Sequence, residues 1–160
     1  MKKYYILSIL AIALSFVFTA CGDDNDDGDT TAPVIELDEP EYGDELLIGS
    51  SIHFECDFSD NKMLGSYMIE IHSNFDGHTH KVSTRATNEK DVPLFVKKTY
   101  SLSGFRNKHE HHHDITIPEN TAPGIYHLVV YCTDAEGNQS LVAREVILSH
   151  DAEEHEHHHE

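Results

Sequence analysis

The stretch "SSIHFECDFSD", Ser50 to Asp60, alternates apolar and polar side chains one by one. Ile52, Phe54, Cys56 and Phe58 share one side, and His53, Glu55 and Asp57 share the other. Successive side chains of a strand point to opposite faces, so this period predicts a strand with one face buried. The period returns along the chain. "GSYMIEIHSN" turns Tyr67, Ile69 and Ile71 one way and Met68, Glu70 and His72 the other, and "GIYHLVVYCTD" divides Tyr126, Leu128, Val130 and Cys132 from His127, Val129 and Tyr131. "PVIEL" and "SLVAREVILS" open and close the series, "DITIP" adds a short strand through Ile115 and Ile117, and "PLFVKKTYSLSGF" is a weaker candidate. Turn-forming runs, "DNK", "ENTAPG" and "DAEGNQ", separate them. No segment holds a helical period for more than two turns. About seven short antiparallel strands in one domain imply an all-β sandwich.

The ends of the chain lie outside that domain. Residues 1–20 begin with Lys2 and Lys3, continue as an apolar run and finish in "FTA" before Cys21, which reads as a secretory signal. The cysteine placed there resembles the lipidation site of bacterial lipoproteins, which implies that Cys21 carries the lipid and becomes the mature N-terminus. Residues 21–31 are an acidic tether. Its "GDDNDDGD" cannot bury surface, and it resembles the export signal of lipoproteins displayed on the outer face of the outer membrane. The sandwich is expected over residues 32–149. The tail, residues 150–160, is rich in His and Glu and is expected to be disordered.

The pattern "PG-Y-L-V-C-TDAEGNQS" resembles the last two strands of bacterial immunoglobulin-like and fibronectin-like modules. By that analogy strand A lies at Val34, B at Ile52, C at Tyr67, E at Ile115, F at Tyr126 and G at Leu141. The analogy also places Cys56 inward on B and Cys132 inward on F, where an immunoglobulin domain carries its disulfide. An exported chain meets an environment that permits one, so a Cys56–Cys132 bridge is expected, with two buried free thiols as the alternative. The chain contains no Trp, so the resemblance extends to the sandwich architecture and not to antibodies.

Histidine carries the functional signal. The chain has 14 His among 160 residues and a formal net charge of −18. That charge argues against nucleic acid and anionic lipid surfaces and favours cations. Neutral imidazole is a common ligand of late transition metals. Three groups stand out. "IHSNFDGHTH" offers His72, Asp76, His78 and His80, and Gly77 permits a turn that gathers them. "HEHHHD" places His109, His111 and His113 on one side of an extended segment and Glu110, His112 and Asp114 on the other. The tail is the third. Strands C and F of a sandwich are antiparallel neighbours, so His72 and His127 are expected to face each other. With His78 and His80 folding back on them they would form the core of a zinc site, or of a copper or nickel site, with His109, His111 and His113 as candidates to complete it. His53 is expected to be an ordinary solvated strand residue. "DAEGN", Asp134 to Asn138, has oxygen ligands that suit calcium but is shorter than an EF-hand loop and reads first as a hairpin turn.

No nucleophile–base spacing, phosphate loop or dinucleotide glycine motif occurs, so an enzyme is not expected. From "GDELLIGSSIHFECDFSDNKMLGSYMIEIHSNFDGHTH" onward, and most specifically at "SDNKMLGSY", "NFDGHTH" and "HHHDITIPENTAPGIYHL", the chain resembles a family of small Bacteroidota lipoproteins known only as a domain of unknown function. The resemblance implies a surface or periplasmic lipoprotein with an immunoglobulin-like fold and implies no activity. The expectation is therefore a lipid-anchored outer-membrane protein that binds zinc through histidines and captures or delivers it, with an outer-membrane transporter as a candidate partner. The alternative is a surface adhesion or glycan-accessory module that uses the sandwich without metal.

Overall fold

The alternation in "SIHFECDFS" becomes one of eight strands in a computed structural model that describes residues 28–74 and 91–153. The strands are β1 (Val34–Glu39), β2 (Glu45–Leu47), β3 (Ser51–Ser59), β4 (Leu64–Ser73), β5 (Phe95–Ser101), β6 (Asn107–Thr116), β7 (Gly124–Asp134) and β8 (Gln139–Ser149). No helix occurs among the described residues. β1, β3 and β6 form one sheet, in that order, and β2, β8, β7, β4 and β5 form the other. All neighbours are antiparallel except β2, a three-residue strand that runs parallel to β8.

The two sheets face each other across one core, so the chain is a β-sandwich. Ile52, Phe54, Cys56 and Phe58 of β3 meet Tyr67, Ile69 and Ile71 of β4 and Tyr126, Leu128, Val130 and Cys132 of β7, and all of them are buried. Each is on the inward side that its two-residue period assigned. Stacked rings tie the layers together: Tyr67 lies 4.7 Å from Phe58 and 5.9 Å from Phe54 of the facing sheet, between ring centres.

Cys56 and Cys132 are free thiols, which corrects the expected bridge between them. Cys56 Sγ is turned to its neighbour's carbonyl, Asp57 O, at 3.8 Å. Burial pushes the Cys132 thiol up to about 12 and raises that of Cys56 as well. A free buried thiol packs as a small hydrophobe.

A second difference concerns "NKHEHHHDITIP". The expected strand began at Asp114, yet β6 starts at Asn107 and takes in the whole histidine run. β6 is the edge strand of its sheet and pairs with β3 alone. An edge strand facing water tolerates charged and polar side chains, and these also discourage pairing with another chain. β5 is the edge of the other sheet, and its alternation of exposed and half-buried residues explains its weak apolar signal. Asp29, inside the stretch read as a solvated tether, is buried against the domain.

Candidate metal centre

β3 and β6 pair antiparallel, with Asp57 opposite His109, Glu55 opposite His111 and Phe54 opposite His112. The register then shifts, and Ile52 pairs with Ile115. Two steps along β3 therefore match three along β6, so His113 and Asp114 together oppose His53. An extra residue of this kind re-aims the side chains around it. Here it brings three imidazoles together on the outer face of the sheet. The Nε2 atoms of His53 and His111 are 3.0 Å apart. The His53 and His113 rings are stacked at 4.7 Å with 12° between their planes, and those of His111 and His113 are 5.6 Å apart. One ring nitrogen from each of the three lies within 4.8 Å of the others.

Acids border this group. Glu55 Oε2 is 3.8 Å from His53 Nε2, and Glu55 Oε1 is 3.5 Å from His109 Nε2. His109 Nδ1 is 3.1 Å from Asp57 Oδ1. His109 is thus held between two carboxylates beside the three-histidine group and is outside it. Two nitrogens at 3.0 Å either share a proton or face a common cation. Zinc bonds imidazole nitrogen at roughly 2.0–2.1 Å, and tetrahedral geometry then separates two ligand nitrogens by about 3.3 Å. Three such ligands leave a fourth position for water, Glu55 or an incoming donor. His111 and His113 are exposed and His53 is half-buried, so the group is open to solvent.

His112, within the same run, faces inward and has a different set of neighbours. Its Nε2 lies 3.0 Å from the Tyr67 hydroxyl, and its Nδ1 is 2.5 Å from Asp114 Oδ1. Asp114 accepts from Lys98 Nζ at 2.7 Å and from the Tyr100 hydroxyl at 3.0 Å. Phe54 and Tyr100 flank the His112 ring at 4.9 and 5.0 Å. Burial lowers the His112 pKa below its ordinary value, outweighing Asp114 and Glu110. Burial acts to raise the Asp114 carboxyl, but the hydrogen bonds from Lys98 and Tyr100 hold it below the usual range. Through the Tyr67 hydroxyl His112 ties the edge strand β6 to β4 of the opposite sheet, and Asp114 ties it to β5 through Lys98 and Tyr100.

His72 and His127 are the cross-strand pair that the sequence predicts. Their rings meet edge to face at 5.6 Å, and His72 Nδ1 is 3.4 Å from Glu70 Oε1. They lie on the outer face of the five-stranded sheet, whereas His109, His111 and His113 lie on the outer face of the three-stranded one. The full thickness of the sandwich separates the two groups, so "HEHHHD" does not complete the His72–His127 site. Asp76, His78 and His80 lie outside the described residues. The residue missed in the sequence is His53, and its signal was its place on the outward side of a strand adjacent to "HEHHHD".

A family model described as a domain of unknown function (DUF4625) matches residues 19–149. No curated protein matches the chain.

Proposed function

The chain belongs to the DUF4625 family, whose function is unknown, and from its own residues we propose that it is a metal-capture module. His53, His111 and His113 hold one late transition ion, zinc first, on the outer face of the three-stranded sheet, with copper or nickel as the other ions such a donor set accepts. The single observation that carries the reading is the convergence of three ring nitrogens, from two strands, within 4.8 Å. Glu55, with one oxygen toward His53 and the other toward His109, favours a cation there and supplies a fourth ligand or an orienting partner. The exposure of His111 and His113 suits capture and onward transfer, because a partner reaches the ion directly.

In this reading Cys21 bears a lipid, the acidic tether displays an immunoglobulin-like domain at the outer membrane, and a transporter receives the ion. The signal-like residues 1–20 and the cysteine that follows them support that placement. The role is binding and not catalysis.

The test is zinc titration of metal-stripped protein against a competing chelator. One equivalent bound at sub-micromolar Kd, and lost in His53→Ala, supports the proposal. Binding that is absent, or unchanged in His53→Ala, rejects it and leaves an adhesion role for the sandwich.

A further inference from the structure

Asp29 lies five residues before Val34, the first residue of β1, in a run of hydrophilic residues, yet it is only 9% exposed. Its Oδ1 accepts from the Thr31 amide at 2.9 Å and from Asn61 Nδ2 at 3.1 Å. Its carbonyl accepts from Asn138 Nδ2 at 2.8 Å. Its other carboxylate oxygen, Oδ2, is buried and has no hydrogen-bond partner among the described residues. A buried carboxylate oxygen without a partner is costly, and a bound cation or an ordered water relieves it.

The groups for one are in place. Asp134, the last residue of β7, is 4% exposed. It accepts from the Asn138 amide at 2.7 Å and from Asn138 Nδ2 at 2.6 Å. Glu136 follows in the β7–β8 turn, where Gly137 adopts a φ of 95° that other residues rarely take. One carboxylate oxygen from each of Asp29, Asp134 and Glu136 lies within 4.8 Å of the others. Among the described residues no Lys, Arg or His forms an ion pair with any of the three.

We propose that Asp29, Asp134 and Glu136 form a calcium site that fastens the chain entering β1 to the β7–β8 turn. The donors are all oxygen, which suits a hard cation and not the ion of the histidine centre. Calcium bonds oxygen at about 2.3–2.6 Å, so ligands on opposite sides of it lie roughly 4.6–5.2 Å apart, the span of this group. The site lies beyond Ser59, at the far end of β3 from His53, and it stands independently of the zinc reading. Its consequence is mechanical: the bound ion fixes the last part of the acidic leader to the domain and so sets how the sandwich is held relative to whatever precedes it.

The test is calcium calorimetry on the full metal-stripped chain at fixed ionic strength, with thermal unfolding as a second readout. One saturable calcium per chain is expected, with a Kd on the order of 0.1–1 mM and a higher unfolding temperature at about 5 mM calcium. Asp29→Asn and Glu136→Gln each weaken binding about tenfold or more, while His53→Ala leaves it unchanged. Glu136 is exposed, so its variant folds and its result stands by itself. No saturable binding, or binding equally tight in both variants, overturns the proposal.

Discussion

The two outer faces of the sandwich both carry histidines, and they differ in what the backbone does beneath them. On the five-stranded sheet, β4 and β7 pair in regular register at His72 and His127, and the ladder brings two imidazoles together. On the three-stranded sheet, the register between β3 and β6 shifts at the histidines. A regular antiparallel ladder places one side chain directly opposite another and the diagonal neighbours at roughly 7–8 Å. The extra residue in β6 draws a diagonal neighbour in and gathers a third imidazole. Among the described residues the first face carries the pair His72 and His127, while the second carries four histidines with a register shift beside three of them.

Removing His53 has the largest expected effect on the three-stranded face. His53→Ala is expected to weaken zinc binding on the order of a hundredfold, read by chelator competition. An effect as large in a His72→Ala/His127→Ala double variant would reverse the assignment of the faces.

The inward-facing histidine sharpens the contrast. Tyr67→Phe removes the hydroxyl from His112 and is expected to cost about 1–2 kcal/mol in urea unfolding, with zinc affinity unchanged. His112 also sets a pH response. Its pKa is lower in the folded chain than in the unfolded one, so the unfolded chain takes up the proton first. The stability linked to it is present above the unfolded value of about 6.5 and is lost as pH falls from there through the folded value. Urea midpoints measured across that window should show a shallower slope for His112→Gln than for the unaltered chain.

The smallest effect is expected on the regular face. The His72→Ala/His127→Ala variant should change zinc affinity at the three-histidine centre by less than about threefold, because surface changes far from a site rarely alter it further.

Much of the fold was legible because burial on one face imposes a two-residue period. Phe54, Tyr67, Ile69 and Leu128 all point as that period requires. The His72–His127 pairing was legible too, since it needs only two adjacent antiparallel strands in simple register. His53 was not recognised because its own strand tells which way it points and not which strand lies beside it. The immunoglobulin-like analogy places strands B and E side by side, and applied to the histidines it would have brought "HEHHHD" next to His53. The register shift itself leaves no mark in the sequence, as no glycine or proline sits at His113 or Asp114. The period placed Cys56 and Cys132 inward on facing strands, where both are buried as free thiols, and inward placement by itself does not decide between a bridge and two thiols. The length of β6 was hidden because an edge strand needs few apolar residues.

Zinc K-edge absorption of the protein loaded with one equivalent reads whether His53, His111 and His113 share one ion. Three imidazole nitrogens at about 2.0–2.1 Å are expected, falling to two in His53→Ala. A shell of oxygen alone, or a nitrogen shell unchanged by His53→Ala, would contradict it.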